Sequence, residues 1–412
     1  MLGRLGLGCL LVGFLAPSHV ALAQPTLQEL WKRHDQWVLK GDPDAVRPLP
    51  PGASSTFTGK RGNLVQGWDV GPPHAPVFLW WQGGPGFAAS PERDALYFEH
   101  PGQFRHVEIN QPGTGASAWI PGWRPEDTVD DAVTFLRLRG IHRPVIVAGW
   151  SWGSTMALLF AQRHPELVAG VVVGGVWTNT PQEVRYYLGK TGSRSWIPGL
   201  SDAFSAFTRK KGVATDLHAA LAQGKGGKAL AEAYERAEFA QCTEGENPRE
   251  PVWREVPAAS GPPVDMASEK DGTTRFACIE SEMMARGERG RWKLDLTFPD
   301  SLARVPLIVM EGRYDQVCMP RTARKVFKAW PGRRKLFVPL NAGHWPFRGP
   351  SKEELAEAGL DLTPEQKRAY RRAMMLHFGS GYLIGAAIDL LAHPGGTTRQ
   401  APAPQPSKPG AG

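Results

Sequence analysis

Runs of apolar residues alternate with helical patterns along most of this chain. Five runs are typical of buried strands, and they lie at residues 77–81, 144–148, 168–173, 305–311 and 336–338. After the second run, an apolar helical face begins near Ser154 and stops at Pro165. Strands that alternate with helices in this way predict an α/β fold, with a mainly parallel sheet flanked by helices.

The alternation is interrupted in the middle of the chain. Residues 177–299 contain two helical patterns separated by a glycine-rich stretch, followed by a proline-rich segment. The chain has 412 residues and 42% hydrophobic content, which suffices for one large core with an inserted subdomain. We therefore expect a core at residues 45–176 and 300–394 and a helical cap at residues 177–299.

The two ends differ from the rest of the chain. A basic start, an apolar run at residues 5–15 and the small residues Ala21 and Ala23 predict a secretory signal peptide at residues 1–23. The run is too short for a stable membrane span, so we expect cleavage near Ala23 and export to the periplasm or the medium. Residues 395–412 lack apolar periodicity, which predicts a disordered tail.

A serine flanked by glycines lies where a predicted strand turns into a helix. The sequence GWSWG at residues 149–153 matches a nucleophile elbow, a strained turn that lifts the hydroxyl of Ser151 above the sheet. The backbone N–H of Trp152 would then face a developing oxyanion. The alternative is a structural glycine-serine turn, but the strand before it and the helix after it favour a catalytic serine.

A candidate acid and a candidate base follow this serine in the chain. Asp315 and His344 each lie just after one of the apolar runs. The order Ser, Asp, His, with each residue on a loop after a strand, is the order used by hydrolases with a nucleophile elbow. We expect His344 to take the proton of Ser151 and Asp315 to orient the imidazole.

A glycine-rich loop follows the first apolar run. Residues 82–86 read QGGPG, and glycines there let the backbone approach a substrate closely. We expect a second oxyanion donor from the backbone N–H of Gly84, with Gly83 as the alternative. An ordinary glycine-rich turn would have the same composition.

Together these motifs resemble those of the proline iminopeptidases, which are serine peptidases with the α/β-hydrolase fold. The elbow and the sequence GRYDQVC at residues 312–318 are the most specific matches, and residues 82–86 and 110–117 are similar to two further family motifs. The resemblance covers the chain from about residue 60 to about residue 390. It implies an α/β-hydrolase core with a helical cap.

The resemblance also implies a substrate site in the cap. Glu238 and Glu280 match two family positions that hold the free N-terminus of the substrate. Taken alone, they could equally be solvated glutamates on helices. An apolar pocket for the first residue of the substrate is implied at Trp177, Tyr187, Met284 and Cys318; ordinary core packing is the alternative for these four.

Some residues depart from the family pattern. Gln82, Asn110 and Pro112 differ from the family's residues near the glycine-rich loop, so we expect different packing there. Trp177 and Met284 stand where the family has phenylalanines. The pocket stays apolar but changes shape, so the preference for proline is less secure than the peptidase chemistry.

Charge and cysteine content argue against a nucleic-acid-binding protein and against a metalloprotein. The net charge is +8, but basic residues are scattered among 40 acidic ones, so we expect no nucleic-acid partner. The cysteine spacing matches no metal site, and we expect neither metal nor cofactor. Cys242, Cys278 and Cys318 would remain after processing, so at least one is unpaired, and the first two could form a disulfide across the cap.

The sequence is therefore interpreted as a serine aminopeptidase that removes an N-terminal residue, proline by resemblance, from short peptides with a free N-terminus. An acyl-enzyme on Ser151 would be hydrolysed by water. Two alternatives stay open, a carboxylesterase with the same triad and a catalytically silent binding protein on the same fold. The two cap glutamates argue against the esterase, and the complete triad argues against the silent protein.

Overall fold

The computed structural model describes residues 24–40, 52–89, 104–196, 204, 206–208, 212–242, 256, 261–344, 363, 365–366 and 382–394. The signal peptide predicted at residues 1–23 and the tail predicted at residues 395–412 lie outside these residues. Export of the protein therefore stays a prediction.

In the described part of the chain, eight strands form one mixed sheet. They are β1 (Ser54–Thr58), β2 (Leu64–Val70), β3 (Val77–Trp81), β4 (Arg105–Ile109), β5 (Val145–Trp150), β6 (Val168–Gly174), β7 (Leu307–Gly312) and β8 (Lys335–Leu340). Their order across the sheet is β1-β2-β4-β3-β5-β6-β7-β8. The pairs β1–β2 and β2–β4 are antiparallel and all other neighbours are parallel. The predicted mainly parallel sheet is confirmed.

The five predicted apolar runs coincide with β3, β5, β6, β7 and β8 to within two residues at either end. β5 is longer than predicted because Trp150 still pairs with Gly174 of β6. The next helix begins at Trp152 rather than near Ser154. As a result, Ser151 alone connects the strand to the helix.

Helices cover both faces of the sheet. Those with defined bounds are α1 (Leu27–Lys40), α2 (Pro125–Leu138), α3 (Trp152–Arg163), α4 (Pro181–Leu188), α5 (Val213–Ala222), α6 (Gly227–Cys242), α7 (Gly272–Glu288), α8 (Pro320–Ala329) and α9 (Tyr382–Ala392). Apolar residues of α2, α3 and α8 pack on one face, and those of α1 and α9 on the other. Phe78 and Leu79, successive residues of β3, point to opposite faces and are both fully buried.

The helices α4 to α7 lie between β6 and β7 in the chain, within the range predicted for the cap. A third apolar cluster, formed by residues such as Leu217, Leu230, Tyr234 and Phe276, holds α5, α6 and α7 together. None of the helices in the described ranges has the length and apolarity that a membrane crossing requires.

The sequence analysis assigned no element to residues 24–44, yet α1 belongs to the core. Its Leu30 is fully buried in the apolar cluster that α9 also lines. The Arg33 guanidinium forms a buried ion pair with Asp389 of α9 and donates a hydrogen bond of 2.8 Å to the carbonyl oxygen of His393. These contacts attach the first described helix to the last one.

Candidate active site

Ser151 lies on a strained turn between β5 and α3. Its φ of 57° and ψ of −127° are rare for a residue with a side chain, and its backbone N–H donates to the Gly174 carbonyl oxygen at 3.0 Å. A Cβ atom on Gly149 would overlap the carbonyl of Gly153, and one on Gly153 would overlap the carbonyl of Trp81. Both glycines of the motif are therefore needed for strand and helix to approach this closely.

Asp315 and His344 form a buried hydrogen-bonded pair. The Nδ1–H of His344 donates to Asp315 Oδ2 at 2.8 Å. The other oxygen, Asp315 Oδ1, accepts the backbone N–H groups of Val317 at 2.8 Å and Cys318 at 2.7 Å. The carboxylate is thus held as an acceptor on both oxygens, and Nε2 is the nitrogen of His344 that can exchange a proton with a serine.

Three parallel strands bring these residues to one edge of the sheet. Ser151 follows β5, Asp315 follows β7, and His344 follows β8. Parallel strands have their carboxyl ends at the same edge, so the three loops meet there. A direct contact joins two of them, because the Trp150 indole N–H donates to the His344 carbonyl oxygen at 2.8 Å.

The glycine-rich loop lies between Ser151 and the cap. A Cβ atom on Gly83 would be 3.5 Å from the Ser151 Cβ, and one on Gly86 would be 3.2 Å from the backbone of Phe276 on α7. Gly84 has a φ of 97°, which only glycine adopts without strain. The loop therefore touches the core and the cap together, and the oxyanion roles of Gly83, Gly84 and Trp152 stay predictions.

Asn110, noted above as a departure from the family pattern, supports this loop. Its Oδ1 accepts the backbone N–H of Ala89 at 2.7 Å, and its Nδ2 donates to Gln66 Oε1 at 2.8 Å. The neighbouring Gln111 accepts the indole N–H of Trp152 at 2.8 Å. A neutral amide can donate and accept at once, so Asn110 ties two segments that an aspartate could not tie in the same way.

Glu238 on α6 and Glu280 on α7 lie together inside the cap. They are only 8% and 1% exposed, so the alternative that they are solvated helix glutamates is wrong. The Tyr234 hydroxyl donates to Glu280 Oε1 at 3.3 Å. Among the described residues, Glu238 Oε2 and Glu280 Oε2 have no hydrogen-bond partner. Each carboxyl group thus keeps one acceptor unused.

Burial and mutual proximity change the acidity of this pair. Burial, the negative charge of Glu280 and a hydrogen bond between the two groups raise the pKa of Glu238 well above its ordinary value. Burial also raises the pKa of Glu280, to about 7, although its hydrogen bonds with Glu238 and Tyr234 act in the opposite direction. The pair therefore holds at least one proton near neutral pH when nothing else balances its charge.

The four predicted pocket residues are buried in one apolar cluster. The rings of Trp177 and Tyr187 meet edge to face at 6.0 Å, and the cluster also contains Met284 and Cys318. The Cys318 sulfur, a carboxylate oxygen of Asp315 and a ring nitrogen of His344 all lie within 4.8 Å of one another, so the cluster adjoins the hydrogen-bonded pair of Asp315 and His344. Their role as a pocket stays a prediction.

The structure contains no disulfide among its described cysteines. Cys242, Cys278 and Cys318 are buried free thiols, so the disulfide considered between Cys242 and Cys278 is not formed. Burial raises the pKa of all three thiols, that of Cys278 to about 12. They are therefore protonated at neutral pH, which makes them poor nucleophiles.

Comparisons with known proteins agree with this architecture. The sequence profile of the family described as "alpha/beta hydrolase fold" matches residues 76–194. A proline iminopeptidase of Neisseria gonorrhoeae is 28% identical over 306 residues, which cover 72% of this chain and 91% of that protein. A proline iminopeptidase of Arabidopsis thaliana is 26% identical over 337 residues, which cover 74% of this chain and 82% of that protein.

The chain has the α/β-hydrolase fold and is similar in sequence to proline iminopeptidases. The predicted fold, the resemblance and the assignment as a hydrolase enzyme are confirmed. A crystal structure of a proline iminopeptidase-related protein from Thermus thermophilus is also similar, with 20% identity and a TM-score of 0.42, over 81% of this chain and 98% of its own.

Beside the candidate site, the buried ionisable side chains of Arg194 and Glu311 had not been predicted. Arg194 is 3% exposed, and its guanidinium stacks on the ring of Phe204 at 4.5 Å. Its charge lowers the pKa of Glu280, which opposes the effect of burial. A lone arginine between small residues gives no signal of this kind in a sequence, because its partners lie elsewhere in the chain.

The second such group is Glu311 at the end of β7. It is 2% exposed, and its Oε2 accepts the backbone N–H of Val176 at 3.3 Å. Burial, followed by the negative charge of Asp315, raises the pKa of Glu311 well above its ordinary value. A carboxyl group with a raised pKa therefore lies beside Asp315.

Proposed function

We propose that this hydrolase is a serine aminopeptidase that releases an N-terminal residue, preferentially proline, from short peptides through an acyl-enzyme. One observation carries the proposal. Glu238 and Glu280 are buried side by side in the cap, and each has an acceptor oxygen that no residue of the described ranges satisfies. Buried acceptors of this kind are rare without a ligand or water to satisfy them. The relatives named proline iminopeptidases supply the substrate preference.

The chemistry of an N-terminal proline fits this pair. A protonated N-terminal proline has two N–H donors and one positive charge. Glu238 Oε2 and Glu280 Oε2 offer two acceptors, and the ammonium can replace the proton that the carboxyl pair retains. Charge-assisted hydrogen bonds in a buried site are stronger than neutral ones, so binding favours a free N-terminus over a blocked one.

The proposed reaction follows the arrangement around Ser151. The Ser151 hydroxyl attacks the carbonyl carbon of the first residue while His344 accepts its proton, and Asp315 stabilises the imidazolium. Backbone N–H groups of the glycine-rich loop and of Trp152 hold the oxyanion. His344 then gives its proton to the leaving amine. Water, deprotonated by His344, hydrolyses the acyl-enzyme and restores the serine.

The buried aromatic cluster supports a small, apolar first residue. Trp177 and Tyr187 lie edge to face, and Met284 belongs to the same cluster. The Trp177 backbone is tied to the elbow, because its N–H donates to Ser154 Oγ at 3.2 Å and its carbonyl accepts from Thr155 Oγ1 at 2.6 Å. A ring that packs against Trp177 is therefore held at a fixed distance from Ser151.

The test compares free and N-acetylated prolyl anilides on the wild type and on Glu238→Gln and Glu280→Gln. Acetylation removes the charge, so we expect a sharp drop in kcat/KM for the wild type. Each replacement should cost about one to two powers of ten on the free substrate, which corresponds to roughly 1.5–3 kcal/mol for a charged hydrogen bond. The acetylated substrate should be nearly unaffected.

Glu232→Gln is the matched control. Glu232 lies on the same helix, α6, but is exposed and pairs with Lys228 and Arg236 at the surface. It should behave as the wild type. If acetylated and free substrates are cleaved equally, and the two buried glutamates can be replaced without effect, the protein is a carboxylesterase of this fold instead.

A further inference from the structure

Trp150 immediately precedes Ser151 and occupies a groove made for it. A Cβ atom on Gly174 would overlap the indole ring, and one on Gly175 would be 2.5 Å from Nε1. The indole is buried, with 6% of its residue surface exposed. Two consecutive glycines at the end of β6 thus leave the space that the ring fills.

The same indole reaches the loop that carries His344. Its Nε1–H donates to the carbonyl oxygen of His344 at 2.8 Å in a buried setting. A Cβ atom on Gly175 would be 3.1 Å from His344 Cε1, so the groove also borders the imidazole. One side chain therefore links the residue next to Ser151 with the backbone of His344.

His344 has a second attachment at its ring, where Nδ1 bonds Asp315. The ring bond limits rotation of the imidazole, but it leaves the backbone of the residue unheld. The Trp150 bond restrains that backbone, and the imidazole is only one carbon away from it. A displacement of about 1 Å at a catalytic group can cost on the order of 100-fold in rate.

We propose that Trp150 is a positioning residue. Its indole N–H bonds the backbone of His344 and so keeps His344 at a fixed position relative to Ser151. The proposal rests on the proposed role of His344 as the base, but it does not depend on which substrate the enzyme prefers. The nitrogen donates to the backbone, and the ring fills the groove of Gly174 and Gly175. Only the hydrogen bond of the indole N–H acts on catalysis specifically, whereas the filled groove contributes to stability.

The test uses a matched pair of tryptophans. Trp330 is also buried, and its Nε1–H donates to the carbonyl oxygen of Val305 at 3.0 Å, just before β7 begins and thus at the opposite edge of the sheet. Trp150→Phe and Trp330→Phe each remove one such bond and part of a ring. We expect similar losses of thermal stability from both, whereas only Trp150→Phe should lower kcat, by at least about tenfold with KM little changed.

Direct labelling of the serine separates positioning from loss of stability. A displaced His344 is a poorer proton acceptor for Ser151, so the reaction of Ser151 with a fluorophosphonate probe should slow in parallel with kcat in Trp150→Phe. Trp330→Phe should keep the wild-type rate of labelling. This readout needs no substrate.

If Trp150→Phe fails to fold, replacing Trp150 by 3-benzothienylalanine keeps the ring shape and exchanges only the N–H for sulfur. This protein should melt near the wild type and show the same loss of kcat and the same slower labelling of Ser151. Wild-type kcat and wild-type labelling in the benzothienyl protein would overturn the proposal. Turnover by Ser151→Ala would instead overturn the proposed triad, so the two failures are distinguishable.

Discussion

Ser151 combines a strained backbone with partial exposure, whereas most of its neighbours on β5 and α3 are fully buried. Non-glycine residues in sparsely populated backbone regions cluster at functional sites, because the surrounding structure must hold the strain. We expect Ser151→Ala to reduce turnover of prolyl anilides by several powers of ten. Its unfolding midpoint should stay near that of the wild type. Appreciable activity in purified Ser151→Ala would remove this residue from the mechanism.

The buried glutamate pair makes stability depend on pH. The pKa of Glu280 is raised to about 7 from an ordinary 4.5, so the folded protein binds this proton more tightly than the unfolded chain does. The contribution is favourable at about pH 4 and is lost as pH rises towards 7 and beyond. We expect Glu280→Gln to be more stable than the wild type at about pH 8 and about equally stable at about pH 5.

Urea unfolding of both proteins between about pH 5 and pH 8 measures this effect. The difference between them isolates the pair, because the other buried ionisable groups are the same in both proteins. A stability difference that does not change with pH would mean that Glu280 is ionised without cost in the folded state. The same variant is predicted to lose activity, so the pair would favour recognition at the expense of stability.

Local motifs were sufficient to identify Ser151, Asp315 and His344 as candidates, because each lies on a turn with a characteristic sequence. They were insufficient for Trp150 and Glu311. The partner of Trp150 lies 194 residues away in the chain, and a sequence shows only that a tryptophan precedes the serine. The function of such residues depends on three-dimensional neighbours that no local pattern encodes.

At the scale of elements, α7 links the cap to the glycine-rich loop. It carries Phe276 and, one turn later, Glu280. Phe276 stacks on Phe87 of the loop with ring centres 4.3 Å apart and planes inclined by 20°. It also lies against Gly86. The helix that holds one buried glutamate therefore also packs on the segment predicted to bind the oxyanion.

We expect Gly86→Ala to lower kcat by at least about tenfold. The added methyl would press on the backbone of α7, and φ at this position is 118°, so the loop or the helix must shift. Gly62→Ala is the control, because Gly62 has a φ of 77° but nothing within 4 Å of the added atom. Both variants should lose about 1–3 kcal/mol of stability from backbone strain.

Steady-state kinetics and thermal unfolding of the two glycine variants check this expectation. Equal activity in both would show that contact between the loop and α7 does not affect the reaction.

The core strands were predictable because short, continuous apolar runs are typical of buried parallel strands. The helix α1 was not predictable, since a short amphipathic stretch next to a predicted signal peptide does not indicate which element it packs on.

At the scale of the whole molecule, α1 and α9 complete the second face of the sheet. Arg33 and Asp389 join them through an ion pair in which the Asp389 side chain is fully buried. Asp389 Oδ1 also lies 3.0 Å from His393 Nδ1 and accepts a hydrogen bond from it in the tautomer that carries the proton there. Removing one partner of a buried ion pair leaves the other uncompensated, and the cost is on the order of 3–5 kcal/mol.

We therefore expect Asp389→Ala to lose roughly this stability in urea unfolding while kcat per folded molecule stays near the wild type. Glu232→Ala, which breaks only exposed ion pairs, should cost less than about 1 kcal/mol. Equal midpoints for Asp389→Ala and the wild type would mean that the ion pair with Arg33 contributes little to stability.

The two buried carboxyl groups also bear on how a reaction cycle ends. Under the proposed function, hydrolysis turns the neutral carbonyl of the first residue into a carboxylate only two bonds from the ammonium. Two like charges about 5 Å apart repel by roughly 3 kcal/mol at an effective dielectric of about 20. The substrate enters as a cation at this end, whereas the free amino acid leaves as a zwitterion. Glu238 and Glu280 would thus retain the substrate and expel the product, and product inhibition should be weak.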